Sequence, residues 1–228
     1  MLSLNIQRLL NLTRNPVIVE LGACDGSETV AMFMCCYVGK PRIVSFEPDP
    51  RNAERCRSRQ PASVEFHTAA VGNVTGKAPF HLASPDVNGA IGSSSLSEFK
   101  DLTASFPWCK QMGTVDVDCW RLDDFCETHQ VPYIDLLFAD VQGAELLVVE
   151  GAQRILKSTR YLWTEFEGRY AGNAGTLYKD SCSLEEIKSA LPGDWTILET
   201  WGGDALLVNN VCTGNPNQPI SFGLHFSI

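Results

Sequence analysis

The stretch Val17-Ile18-Val19-Glu20-Leu21-Gly22-Ala23-Cys24-Asp25-Gly26 decides the fold class. Residues 17–21 are mostly apolar and rich in β-branched side chains, and the run is too short for a helix. It reads as a strand buried on both faces of a parallel sheet. Gly22 and Gly26 then let the backbone turn tightly and approach a ligand, facing the N-terminus of a helix predicted from Glu28 to about Tyr37. Working outward, Pro41 introduces a second strand over 42–47 that stops at Pro48, a polar helix follows over about 50–59, and a third strand covers 63–71. Strand, helix, strand, helix, strand is the half of a doubly wound sheet that binds mononucleotides.

Further out the pattern loosens and then resumes. Leu2, Ile6, Leu9 and Leu10 recur at helical spacing, predicting a leading helix over 1–15 that ends before Pro16. Residues 72–82 read as a turn and a strand. The Gly/Ser-rich segment 83–100 reads as loop, part of an insertion over 83–113 expected to serve as a lid or substrate loop. A strand is expected over 114–120, a short helix over 121–129, a strand over 133–141, a helix over Ala144–Leu156, a strand over 160–166 and a helix over 184–191. Strands 195–200 and 205–209 are separated only by Trp201-Gly202-Gly203-Asp204, which cannot form a parallel crossover, so they must run antiparallel. The tail, 210–228, has no assignable element.

Composition bounds the partners. At 228 residues, 44% hydrophobic and 20% charged, the chain can bury a core without a staple, and a single domain over 1–228 is expected. The net charge of −9 argues against nucleic acid and against an acidic membrane surface. The four arginines between Arg51 and Arg59 read as a solvated helix face. Nine cysteines include no C-x-x-C pair and no His at zinc-ligand spacing, and the adjacent Cys35 and Cys36 read as small buried hydrophobes. Reduced thiols, no signal peptide and no run of 18 apolar residues lead to the expectation of a soluble, cytoplasmic protein. A homodimer is left open.

The ligand follows from two placed features. Glu47 ends the second strand about twenty residues beyond Gly26, where an acid accepts hydrogen bonds from a ribose. A dinucleotide site needs G-x-G-x-x-G, but Cys24 stands at the middle glycine and Asp25 follows it. An acid there repels a pyrophosphate and suits a cationic methionine moiety. The E-x-G-x-x-x-G form therefore points to S-adenosylmethionine, with S-adenosylhomocysteine as product, and the terminal hairpin agrees.

The blocks ELGACDG, SFEPDPRN (45–52), AAVGN (69–73), SSSL (93–96), RLDDFC (121–126), ADVQGAELLVVEGAQRIL (139–156) and TEFEG (164–168) resemble, in this order, the FkbM-type family of methyltransferases. The resemblance covers about residues 15–170. It implies an α/β, Rossmann-like class I methyltransferase fold with sheet order 3-2-1-4-5-7-6, and O-methylation of a hydroxyl on a sugar, glycan or natural product. This chain departs from the family at Gln142, where the family has Glu, and at Cys24, a small-residue position in the glycine loop.

The cofactor-binding residues expected are Glu20, Gly22, Ala23, Cys24, Asp25, Gly26, Glu47, Pro48, Ala70, Val71 and Asp140. Ala70 and Val71 match the family's adenine-flanking segment. Asp140 ends the fourth strand at the edge where ligands sit, so a partly desolvated carboxylate there can accept a hydroxyl proton. Glu145 and Glu165 complete the catalytic candidates, while His67 and His81 are weaker bases. A Mg²⁺ reading of Asp135, Asp140, Glu145 and Glu165 finds no dedicated ligand spacing, and no metal is expected. Two rival readings are a non-catalytic nucleoside-binding scaffold, suggested by Gln142, and a NAD-dependent oxidoreductase. The missing middle glycine and the closing hairpin argue against the second.

Overall fold

The computed structural model describes residues 15–26, 41–167 and 176–212. The expected leading helix, the helix from Glu28 to Tyr37, Cys35 and Cys36, and most of the tail lie outside the described residues. The architecture is α/β, built on a seven-stranded sheet. Its strands are β1 (Val17–Leu21), β2 (Arg42–Phe46), β3 (Val64–His67), β7 (Ile134–Ala139), β8 (Thr159–Glu165), β9 (Trp195–Trp201) and β10 (Asp204–Asn209). They lie in the order β3-β2-β1-β7-β8-β10-β9. Counted along the chain within this sheet, that is the expected 3-2-1-4-5-7-6. The first five strands pair in parallel, while β10 runs antiparallel to both β8 and β9, as the four-residue connection requires.

Strand alternation sorts the core into two layers. Val17, Val19, Leu21, Val44, Phe46 and Leu137 pack on one face with Leu122, Phe125 and Val148 from the helices. Ile18, Ile43, Leu136, Tyr161, Trp163 and Leu206 pack on the other. Among the described residues, α1 (Pro50–Arg59), α2 (Leu102–Ser105), α3 (Leu122–Thr128), α4 (Glu145–Gly151) and α5 (Leu184–Ala190) connect the strands. Asp49 caps α1 by accepting from the Arg51 N–H at 3.0 Å. Ser183 and Glu186 form a reciprocal capping box at α5. No helix among the described residues is long and apolar enough to cross a membrane.

Two expectations about elements are corrected. The single strand expected over 63–71 is two strands in two sheets. The half-exposed β3 forms the edge of the large sheet, whereas the fully buried β4 (Ala70–Gly72) pairs with β6 (Gln111–Arg121). With β5 (Gly76–Ala83), these strands make a second sheet in the order β4-β6-β5. The helix expected over Ala144–Leu156 ends at Gly151, where any Cβ would meet the Gly72 carbonyl oxygen at 1.9 Å. A separate 3₁₀ turn, Ile155–Ser158, follows, with buried Asp123 accepting from the Arg154 and Ile155 N–H groups at 2.9 and 2.8 Å.

The segment over 83–100 is a loop beyond Ala83, as expected, and it is tied down. Arg51 donates to the Ala83 carbonyl at 2.9 Å, Asn52 to the Ile91 carbonyl at 2.6 Å, and Ser94 to the Asp49 carboxylate at 2.8 Å. Helix α1 thus holds this segment as a strap.

Candidate functional site

Strands β1 and β7 are neighbours whose onward connections leave in opposite directions, and their carboxyl ends form the switch point of the sheet. Gly22 leaves β1 with φ +87°, and its N–H and that of Ala23 both reach the Phe46 carbonyl at 3.0 Å. The Asp140 N–H closes the other side on the Leu21 carbonyl at 3.1 Å. A Cβ at position 22 would lie 1.9 Å from the Asp140 carbonyl oxygen, so only glycine lets the two loops approach this closely.

A cavity of about 290 Å³ opens at this point, close to the lower end of the range for small-ligand sites, roughly 300–1,000 Å³. Residues 21–25 and 46–48 line one side, residues 69–71 and 140–142 the other, and strap residues 90–92 with Ser94 cover it. Glu47 is 4% exposed. Its Oε2 accepts the Cys24 N–H and its Oε1 the Asp49 N–H, both at 2.8 Å. Burial pushes its carboxyl up to about 8 although those two N–H groups oppose the shift. Cys24 holds φ +50°, and burial, then the Glu47 charge, push its thiol up to about 11, which makes it unreactive. The ionisable carboxyls lining the cavity are Asp25, Glu47 and Asp140, and no Lys, Arg or His joins them among the described residues.

A second cavity of about 120 Å³ adjoins the first, and Gln142 lines both. It contains Glu145, Glu165, Tyr178 and Asp204. Gln142 has φ +57°. Its Nε2 donates to Asp140 Oδ1 at 2.5 Å and to Glu165 Oε2 at 2.9 Å. The Tyr178 hydroxyl donates to the Ser93 carbonyl at 3.0 Å and lies 3.3 Å from Gln142 Oε1. Burial, followed by the Asp140 and Glu145 charges, holds Glu165 far above the carboxylate range. Burial, with the Asp140 charge adding to it, raises Glu145 to about 7. At neutral pH, Glu165 therefore keeps its proton beside Asp140.

Of the expected cofactor residues, Gly22, Ala23, Cys24, Asp25, Glu47, Pro48, Ala70, Val71 and Asp140 all line the first cavity. Glu20 does not; it is buried within the sheet and accepts from Ser45 Oγ at 2.6 Å. Gly26 packs on α1, where a Cβ would meet Cys56 Sγ at 3.0 Å. Of the catalytic candidates, Asp140 lines the first cavity, Glu145 and Glu165 the second. His67 stacks within an aromatic group with Phe46, Phe125 and His129, and His81 packs beside Thr114 in the small sheet; neither lines either of these two cavities. Asp135 sits at the opposite end of β7, accepting the Val17 N–H at 2.9 Å. Among the described residues, no three His, Cys, Asp or Glu side chains form a metal-holding cluster.

Two wall residues escaped the sequence reading. Asn52 stands five residues beyond Glu47 on α1, and its buried Oδ1 has no hydrogen-bond partner among the described residues. That spacing was a signal that could have found it. Tyr178 arrives from a distant segment and carried no local signal.

A family model described as the methyltransferase FkbM domain matches residues 20–181. The 2-O-methyltransferase NoeI of Sinorhizobium fredii is 31% identical over 182 residues, covering 78% of this chain and 72% of that protein. A protein of Klebsiella pneumoniae proposed to be an O-methyltransferase superposes with a TM-score of 0.51 at 16% identity, over 92% of this chain and 82% of that one. The FkbM methyltransferase of Methylobacillus flagellatus gives a TM-score of 0.47 at 16% identity, over 85% of this chain but only 43% of its own length. The Klebsiella likeness shows the shared class I methyltransferase fold.

Proposed function

The chain belongs to the FkbM methyltransferase family, and from that premise we propose that it transfers a methyl group from S-adenosylmethionine to a hydroxyl of a sugar, glycan or hydroxylated natural product. One observation carries the reading: the switch-point cavity holds both Glu47 and Asp140 in its wall and, among the described residues, no basic side chain. Such a wall suits a cationic sulfonium with a ribose and does not suit a pyrophosphate.

The residues present fit the cofactor. Gly22 lets the β1 and β7 loops close on each other to shape the cavity, Glu47 can accept from ribose hydroxyls, and the Asn52 Oδ1, unpartnered among the described residues, offers a further acceptor. When bound, S-adenosylmethionine supplies an electrophilic methyl carbon. The chain's own task is alignment and removal of one proton. Asp140 lines the cofactor cavity beside Gln142, which borders both cavities, and its carboxylate would take the acceptor hydroxyl's proton as the carbon–oxygen bond forms and the methyl carbon–sulfur bond breaks. Glu145 and Asp204 line the second cavity as hydrogen-bond acceptors for a neutral polyol and disfavour an anionic acceptor. Glu165, protonated, supports Asp140 and does not compete with it for the proton.

The test is transfer of a labelled methyl from S-adenosylmethionine to a panel of neutral sugars, amino sugars and hydroxylated natural products. Label should appear on a hydroxyl oxygen with wild type, and Asp140→Asn should lower the rate by about 10²–10⁴-fold. Label on nitrogen only, or an Asp140→Asn enzyme as fast as wild type, would contradict the assignment.

A further inference from the structure

We propose that Gln142 is a positioning residue for the transfer, its side-chain amide clamped between Asp140 and Glu165 so that the Asp140 carboxylate is aimed at the junction of the two cavities and its charge is held by a donated hydrogen bond. This rests on the reading of Asp140 as the proton acceptor.

Two independent features of the chain support it. The first is use of the whole amide. Nε2 donates to Asp140 Oδ1 at 2.5 Å and to Glu165 Oε2 at 2.9 Å, while Oε1 faces the Tyr178 hydroxyl at 3.3 Å. The Asp140 carboxylate fixes which end of the amide points where, because an amide oxygen turned toward it would be repelled. The second is the backbone. A left-handed φ of +57° is unusual for glutamine, and Gly or Asn would adopt it more readily. The strained conformation is retained where it carries an amide on an arm long enough to span a strand end on β7 and another on β8. The clamp is also placed to act on charge. Asp140 is faced by the Cys24 thiol from the β1 loop, Glu145 from α4 and Glu165 from β8, with Asp204 of β10 acting on Glu165. None of those neighbours is a cation, and the Gln142 N–H group, together with the proton held on Glu165, favours the ionised form.

The test is carbon-13 NMR titration of protein labelled at the aspartate carboxyl carbons, with the Asp140 signal assigned by its loss in Asp140→Asn. Gln142→Met keeps the length of the side chain and removes the donors, so the Asp140 midpoint should rise by about one pH unit. Gln142→Glu matches glutamine in shape but puts charge where the donor was, and should raise the midpoint further. It also carries the test if Gln142→Met folds poorly. A role in folding alone would lower thermal stability and leave the midpoint in place, and that result overturns the inference. Calorimetric titration of S-adenosylhomocysteine into wild type separates the two levels. Wild type that binds while the midpoint stays fixed defeats the positioning role alone. Wild type that does not bind defeats the methyl-transfer reading and the positioning role with it.

Discussion

Glu47 is buried, yet the proposed function has it meet the cofactor through its charge, and the pH dependence of binding follows from that conflict. Without a ligand, burial holds its carboxyl up to about 8. On that proposal ribose hydroxyls donate to the ionised form, so binding favours loss of the proton. Affinity for S-adenosylhomocysteine should therefore rise with pH, approaching tenfold per pH unit below about pH 8, and level off above it. Glu47→Gln should flatten the curve; calorimetry at several pH values checks both, and an affinity that falls with pH contradicts the role. At this scale the sequence was partly legible. Glu47 was found because a strand end and a glycine loop fix its distance along the chain. The clamp of Gln142 was not visible, because its partners come from residues 23 positions away on β8 and 36 positions away at Tyr178.

Among the elements, the strap over 83–95 depends on α1. Burial alone would raise the Asp49 carboxyl, but hydrogen bonds from Arg51 and Ser94 outweigh it and hold the group below its usual range. Arg51→Ala leaves that carboxylate buried without its cation, partly offset because the Arg51 side chain is 33% exposed. A loss of about 1–2 kcal/mol in urea denaturation is expected, with faster proteolysis within 84–92. Unchanged cleavage would show that the strap is held elsewhere. Gly22→Ala tests the junction of β1 and β7. With a Cβ 1.9 Å from the Asp140 carbonyl oxygen and φ at +87°, it should cost about 3 kcal/mol or more and abolish ligand binding, as followed by thermal denaturation and calorimetry. The central strands were readable because short, apolar, β-branched runs have few alternatives. The break at Gly151 and the division of 63–71 between two sheets were not readable, since both depend on what packs opposite: the Gly72 carbonyl in one case and β6 in the other.

Across the whole molecule, proton linkage runs opposite to the common acid-denaturation pattern. Glu47 and Glu145 are raised to about 8 and about 7 in the folded chain from an ordinary 4.5. Their stabilising contribution is complete below about pH 4.5 and is lost as pH rises through those folded values. Asp49 and Glu65 are lowered, Glu65 chiefly by its hydrogen bond with Arg42. Their contribution is present above their ordinary values and is lost on acidification. With a net charge of −9 adding self-repulsion at higher pH, stability in urea should be greater near pH 5 than near pH 8. The reverse order would show that these carboxyls are not held protonated in the native state. The antiparallel closing pair of the main sheet was legible because the terminal four-residue connection excludes a parallel crossover, whereas the strand order was implied by the family resemblance. The small sheet was not, since β5 and β6 pair across the intervening strap.

The central claim, an adenosyl-cofactor site organised by Glu47, is tested most directly by calorimetric titration of S-adenosylmethionine, S-adenosylhomocysteine and NAD into wild type and Glu47→Ala. Micromolar binding of both adenosyl ligands by wild type, lost in Glu47→Ala, with no binding of NAD, is the result expected. Failure of wild type to bind either adenosyl ligand, or binding of NAD in their place, would contradict it.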